Sequence, residues 1–246
     1  MKLTREERAA RKASFRKMRP GEKADYIYTY FRLPIFLGLA ALALLCSTVY
    51  RQVTQKAAVL YSAHINVAMG DTLGSYLNTD FISSIGESPK KAEVFFYQGL
   101  YLSDSPSQED HQYSYASRLK VTAAIEAKEL DVVLMNREAY DILSHSGYLY
   151  ELPSLLTGSL LNTVEPYLTA NTVILEDNAI EYQLGEAARY EATTREAVNG
   201  MEISALPAFS RAGFPGRVYL GVVANSPRLN AVSQYIEYLV NPGLAA

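Results

Sequence analysis

An uncharged, apolar stretch near the N-terminus constrains this chain more than any other feature of its sequence. Residues 33–50 lie between Arg32 and Arg51 and carry no charged side chain. At about 1.5 Å per helical residue they would span roughly 27 Å, close to the hydrocarbon thickness of a bilayer. Tyr28 and Tyr50 place aromatic rings near the two ends, as is common at headgroup regions. The stretch predicts a single transmembrane helix, with a buried core helix as the alternative.

The distribution of charge predicts how such a helix would be oriented. Residues 1–32 contain ten of the 23 Lys and Arg but only four of the 26 Asp and Glu. Because Lys and Arg beside a first span hold that end in the cytoplasm, the N-terminus is predicted to be inside. The expected organisation is a basic cytoplasmic segment at 1–32, a transmembrane helix at 33–50, a stalk at 51–61 and an extracytoplasmic domain at 62–246. A cleavable signal peptide is the main alternative, but residues 47–51 show no small-x-small cleavage site.

These features indicate a protein of the bacterial cell membrane whose first partner is the lipid bilayer. The basic segment also raises the question of nucleic-acid binding. No aromatic residues interleaved with the basic ones, and no zinc-ligand spacing, accompany it, so no nucleic-acid partner is expected. The single cysteine, Cys46, excludes an internal disulfide framework and a cysteine-based zinc cluster.

Beyond residue 61, segments typical of strands and of helices alternate along the chain. Strands are predicted at 64–69, 92–97, 131–135, 172–175 and 218–223, and helices at 72–85, 113–128, 137–145 and 229–240. For residues 177–200 an exposed hairpin and an irregular helix both remain open. Such alternation is the pattern of an α/β sheet with crossover helices. The fold class predicted is therefore an α/β domain preceded by a single N-terminal transmembrane helix.

Two passages resemble the extracytoplasmic solute-binding proteins of ABC importers. Residues 120–135, with the turn Lys128-Glu129-Leu130-Asp131, are similar to that family's helix, tight turn and cleft strand. Residues 219–240, with Ala224-Asn225-Ser226, are similar to its strand, turn and closing helix. The resemblance implies a reduced, periplasmic-binding-protein-like domain. It implies a fold more strongly than transport, because the exported part is short and is predicted to be tethered.

The whole chain also resembles single-span bacterial membrane proteins that have no assigned activity. The resemblance rests on Tyr101-Leu102-Ser103-Asp104 and on Tyr115-Ala116-Ser117-Arg118. It covers more of the chain than the first resemblance, but it implies no reaction and no ligand.

Candidate ligand-binding residues follow from the predicted strand ends, because ligands of open α/β sheets meet the carboxyl ends of strands. Tyr97 and Tyr101 come at the end of the second predicted strand, and Asn136, Arg137 and Tyr140 come after the third. Arg137 would pair with an anionic group, and the tyrosines would stack on an apolar or sugar-like one. Each residue also has a structural alternative: Asn136 as a helix N-cap, Arg137 in the first helical turn, and the tyrosines in packing.

Catalytic and metal chemistry finds little support in the sequence. The chain has no Gly-x-Ser-x-Gly motif and no glycine-rich phosphate loop, and Glu109-Asp110-His111 is more typical of a solvated loop than of a metal site. No enzyme activity, cofactor or metal is expected. The leading hypothesis is non-catalytic recognition of a small molecule or envelope component. The alternative is a structural or regulatory scaffold that contacts another membrane protein, and an enzyme is a distant third.

Overall fold

The structure, a computed structural model, describes residues 19–54, 56–105 and 107–241. The chain divides into two compact units, Met1–Gln55 and Lys56–Ala246.

The described part of the first unit is one long helix, α1 (Pro20–Thr54). It begins with proline at the first helical position, where the missing N–H has no intrahelical partner to lose. The helix continues through residues 37–45, which are rich in alanine and leucine and favour helix. Pro34 lies inside this helix, which begins well before it. The side chains of residues 33–48 are exposed.

The predicted transmembrane helix at 33–50 is wrong. Among the residues that the structure describes, no helix combines the length and the apolar character needed to cross a membrane. The uncharged residues 33–50 would span about 27 Å as a helix, which falls short of the roughly 30 Å of a hydrocarbon core. The predicted single-span, signal-anchored organisation depended on this helix, so that prediction is wrong as well.

The second unit is an α/β domain built on a mixed sheet. Within the described residues six strands form one sheet in the order β2-β1-β3-β6-β5-β4. Their bounds are β1 (Ala57–Ile65), β2 (Ala92–Leu100), β3 (Val132–Met135), β4 (Leu168–Asp177), β5 (Ala192–Glu202) and β6 (Tyr219–Val222). Strand β1 is parallel to β2 and β3, whereas β6 is antiparallel to both β3 and β5, and β5 is antiparallel to β4. The α/β class is as predicted, but three of the five pairings between the described strands are antiparallel.

The helices of the domain connect these strands. They are α2 (Asp71–Ser75), a π-helical turn (Tyr76–Asp80), α3 (Phe81–Ser84), α4 (His111–Glu126), α5 (Arg137–His145), α6 (Leu152–Leu155), α7 (Gly158–Val164), α8 (Ala179–Gln183), α9 (Pro207–Ala212) and α10 (Leu229–Val240). A short 3₁₀ turn, Glu165–Tyr167, leads into β4. The helix predicted at 72–85 is thus interrupted by the π-helical turn. Residues 177–200, where two interpretations were open, contain α8 and most of β5, which pairs with β4 as a hairpin.

Apolar side chains pack on both faces of the sheet. On one face Leu60 and Val132 lie in a cluster with Phe81 of α3 and Tyr235 of α10. On the other face Ala63 packs with side chains of α4 and α5. All four residues of β3 are buried, because alternate side chains point to opposite faces and both faces are covered. The covered faces of the central strands β3 and β6 leave their ends accessible, and the candidate site lies at one of these ends.

Candidate ligand-binding site

The carboxyl ends of β1 and β3 lie side by side at a switch in the chain topology. From β1 the chain crosses to β2 on one side, and from β2 it returns through α4 to β3 on the other side. Ligands of open α/β sheets bind in the crevice that such a switch creates. A cavity of about 400 Å³ opens here, lined by residues 66–68 after β1, by Asn136 after β3 and by residues 214–218 before β6. It is called the switch-point cavity below.

Asn66 forms one edge of the switch-point cavity and joins three segments of chain. Its backbone has a φ of 58°, a left-handed conformation that asparagine tolerates better than most residues. Its side-chain Nδ2 donates to the Leu102 carbonyl oxygen at 2.6 Å and to Asn136 Oδ1 at 3.1 Å, and its Oδ1 accepts from the Leu102 N–H at 2.9 Å. Asn66 therefore holds the segment after β2 and the segment after β3 beside the end of β1.

Asn136 is the predicted site residue that lines the switch-point cavity. It is the N-cap of α5, because its Oδ1 accepts from the Ala139 N–H at 3.0 Å. The structural role proposed for Asn136 from the sequence is therefore present. Its Nδ2 makes no hydrogen bond to any residue that the structure describes, so the amide retains a donor beside the cavity.

The opposite wall is formed by the segment that leads into β6. Phe214 is half-buried and stacks on Phe209 of α9, with 6.3 Å between ring centroids. The Arg217 side chain is 72% exposed, and its Nη1 lies 3.3 Å from Glu202 Oε2. An exposed pair of this kind contributes about 0–1 kcal/mol, so the guanidinium can exchange this contact for a ligand at little cost. The wall thus supplies an aromatic ring and a cation.

Tyr97 and Tyr101 lie away from the cavity, near the edge strand β2. The Tyr97 ring packs edge-on against Phe95 at 5.0 Å, and the Lys120 ammonium lies 5.6 Å from its centroid. Burial raises the pKa of Tyr97, and the nearby Glu129 carboxylate raises it further. Tyr101 stacks against Tyr113, with 6.3 Å between centroids. Both tyrosines make packing contacts, and neither lines the switch-point cavity.

Arg137 and Tyr140 point away from the cavity on other faces of α5. Arg137 Nε lies 2.9 Å from Asp141 Oδ1, and its guanidinium lies over the rings of Tyr140 and Tyr219. Tyr140 is fully buried, and its hydroxyl lies 2.8 Å from Asn199 Oδ1 and 3.0 Å from the Thr169 carbonyl oxygen, both acceptors. Burial also raises the pKa of the Tyr140 hydroxyl. Tyr140 thus attaches α5 to the β4–β5 hairpin, whereas Arg137 contacts its own helix and Tyr219 of β6.

We expect Gly200→Ala to lower the free energy of unfolding by about 1–3 kcal/mol, because overpacking forces a well-packed core to shift. A Cβ at Gly200 would lie 2.5 Å from Tyr140 Cζ, and the Tyr140 ring also stacks on Tyr219 at 5.0 Å. Urea denaturation measures the change. Gly74→Ala is the matched control, since a Cβ there would meet Met69 Cε at 3.7 Å. Equal midpoints for the two variants would contradict the packing described.

The two passages that resemble solute-binding proteins meet around Asp131. Asp131 is fully buried; its Oδ1 accepts from Ser226 Oγ at 2.6 Å, and its Oδ2 accepts from the Tyr61 N–H at 2.8 Å and from Arg228 Nε at 2.9 Å. Asn225 Nδ2 donates to the Ile125 carbonyl oxygen at 2.8 Å. This cluster lies at the amino end of β3, the end opposite to the switch-point cavity. The cluster joins the two passages. Both Asp131 carboxylate oxygens accept hydrogen bonds within it, so Asp131 is not a ligand-binding residue of the switch-point cavity.

Among the residues that the structure describes, no group of three or more His, Cys, Asp or Glu is placed to hold a metal ion. Comparison of the chain with models of protein families, with curated proteins and with solved structures gives no significant match. The function therefore has to be argued from the site itself.

Sequence reasoning identified Asn136 but missed Asn66, Phe214 and Arg217. The strand predicted at 64–69 includes Asn66, whereas β1 ends at Ile65. An asparagine directly after an apolar run is the available signal for a strand end, because its side chain can hydrogen-bond the backbone of a turn. Phe214 and Arg217 carry no comparable signal, since only the pairing of β6 beside β3 brings them to the cavity.

Proposed function

We propose that this protein binds a small molecule without catalysis, and that the ligand occupies the switch-point cavity. The observation that carries the proposal is the meeting of two available donors in one cavity. The unpaired Asn136 Nδ2 and the weakly paired Arg217 guanidinium line the same space as the apolar side chains of Val67 and Phe214. A concave, largely apolar lining with a few convergent polar groups is typical of small-molecule sites.

The lining favours a ligand with an anionic group on an apolar body. Both polar groups offer hydrogen-bond donors, and a guanidinium matches the oxygens of a carboxylate or phosphate. Phe214 and Val67 would contact the apolar part. The described lining contains no Asp, Glu, His, Cys or Lys, so it offers no general base near neutral pH and no activated nucleophile. This composition supports binding over catalysis.

A thermal-shift screen of the full chain against carboxylates, phosphates, sugars and nucleosides tests the proposal. A ligand present at a hundred times its Kd adds about 2.7 kcal/mol of stability. We expect the ligand that emerges to bind at least about tenfold more weakly to Asn136→Asp and to Arg217→Gln, because each loses a donor for the anionic group. Asn136→Asp keeps the oxygen that accepts from the Ala139 N–H, so the cap of α5 is retained.

Arg189→Gln is the matched control for charge. Its side chain is 82% exposed and pairs with Glu191, away from the cavity lining. We expect this variant to bind the ligand as the unchanged protein does. A ligand whose affinity is the same in Asn136→Asp, Arg217→Gln and Arg189→Gln would place the site elsewhere. A folded chain that no compound stabilises would remove the proposal and favour the scaffold hypothesis.

A further inference from the structure

A second cavity, of about 500 Å³, lies beside α2 and α9 and contains charges of both signs. It is lined by residues 70–73, by Tyr76 and Asp80 of the π-helical turn and by α9, and is called the π-turn cavity below. Its charged side chains are Asp71, Asp80 and Arg211. None of the three forms an ion pair or a side-chain hydrogen bond with a residue that the structure describes. They are therefore available to a ligand.

The π-helical turn places Tyr76 and Asp80 on the wall of this cavity. A π-helical turn inserted in a helix is rare and is frequent at functional sites, because it redirects the side chains of one turn. The Tyr76 ring packs on Tyr238 at 4.8 Å, and the Tyr238 hydroxyl donates to the Tyr76 carbonyl oxygen at 3.1 Å. The backbone of the turn is thus fixed against α10.

Asp80 and Arg211 act on the same group in this cavity. Burial raises the pKa of Tyr76; Tyr238 lowers it by hydrogen bonding, the Asp80 carboxylate raises it and the Arg211 guanidinium lowers it. Asp80 and Arg211 line the cavity together with Tyr76, and they form no ion pair with each other. A cation and an anion held apart beside one aromatic ring define two complementary subsites.

We propose that the π-turn cavity binds a small zwitterion, a free amino acid or a dipeptide, with its ammonium at Asp71 and Asp80 and its carboxylate at Arg211. A simple anion would face two carboxylates, and a simple cation would leave the guanidinium unpaired. A molecule with both groups satisfies all three side chains. The buried Leu73 and the half-buried Ala208 provide an apolar surface for the remainder of the ligand.

Isothermal titration calorimetry of the full chain with each of the twenty free L-amino acids and with a set of dipeptides tests this site. The tightest binder is then compared with its N-acetyl and methyl-ester derivatives. We expect either modification to weaken binding at least about tenfold. In the double variant Asp71→Asn/Asp80→Asn the N-acetyl group should cost less than about twofold, and in Arg211→Gln the methyl ester should cost less than about twofold, because in each case every proposed partner of the modified group is already gone.

Two surface variants, Asp104→Asn and Arg189→Gln, control for changes in overall charge, and both should bind as the unchanged protein does. Asn136→Asp should also leave this binding unaltered, so the result is independent of the switch-point cavity. Two outcomes would overturn the inference. One is that no amino acid or dipeptide binds more tightly than about 10 mM. The other is that acetylation and esterification cost the same in the variants as in the unchanged protein.

Discussion

Replacing Asp131 with alanine is expected to lower the free energy of unfolding by about 3–5 kcal/mol, the range measured when one partner of a buried ion pair is removed. The substitution leaves the Arg228 guanidinium, the Ser226 hydroxyl and the Tyr61 N–H without their shared acceptor. Arg228 is poorly placed to recover by moving into water. Its side chain is 26% exposed, and its guanidinium lies 4.5 Å from the Tyr61 ring centroid.

Asp104→Ala is the matched control for this experiment. Asp104 also pairs with an arginine, Arg118, but at 3.5 Å and with an exposed side chain. Removing such a surface pair costs about 0–1 kcal/mol. Urea denaturation of both variants measures the difference in unfolding free energy. An unchanged slope of that free energy against urea concentration checks that unfolding stays two-state. Similar losses for the two variants would show that Asp131 does not join the two passages as the structure indicates.

Acidification from pH 7 to pH 4 is expected to cost about 3 kcal/mol of stability through His64 alone. His64 lies on β1, is 1% exposed and packs against the Phe96 ring at 4.8 Å. Neither of its ring nitrogens has a hydrogen-bond partner among the residues that the structure describes. Burial lowers the pKa of His64 from 6.5 to about 4, because the charged imidazolium would lose its hydration.

The direction of the effect follows from proton binding in the two states. Below pH 6.5 the unfolded chain protonates this histidine, whereas the folded chain does not do so until about pH 4. The unfolded state therefore gains stability as the pH falls through this window, and the contribution is constant below it.

His64→Leu removes this contribution to the pH dependence. Other groups titrate in the same window, so the quantity to measure is the difference in unfolding free energy between His64→Leu and the unchanged protein at pH 7, 5.5 and 4. The difference should shift in favour of the variant by about 3 kcal/mol on acidification. Val94→Ala, at a buried position of β2 that carries no titratable group, should show no such shift. A difference for His64→Leu that does not vary with pH would refute the assignment.

The sequence predicts correctly those strands and helices whose hydrophobic pattern is compatible with one type of secondary structure. Within the strand predicted at 131–135, residues 132–135 form a short, continuously apolar run, which indicates a strand covered on both faces, and β3 is such a strand. Residues 137–145 follow an N-cap asparagine and repeat apolar positions at helical spacing, and α5 has those bounds. The first strand is Ala57–Ile65 and not the predicted 64–69, because the prediction assigns residues 51–61 to a stalk that continues the preceding helix.

The candidate site was less predictable than the fold, because a strand end identifies a region and does not specify side-chain directions. Asn136 follows β3 directly and lines the switch-point cavity. Tyr140 lies one helical turn later, and it faces the β4–β5 hairpin because Asn199 and Thr169 accept from its hydroxyl. The sequence does not show that a hairpin some thirty residues downstream packs against that turn of α5.

The position of β6 has a consequence for the order in which the domain can be completed during synthesis. Strands β2, β1 and β3 form one part of the sheet and β5 and β4 form another, and of the strands in the described part of the chain only β6 hydrogen-bonds to both. Val222 of β6 pairs with Val132 of β3, which lies about 90 residues earlier in the chain. Forming this contact therefore has a large entropic cost of loop closure. Until Tyr219–Val222 leave the ribosome, β3 and β5 each present an open edge, which is the kind of surface that pairs with other nascent chains. Aggregation during expression should therefore depend on how quickly the four-residue strand β6, which is synthesised after both of its partners, pairs with β3 and β5.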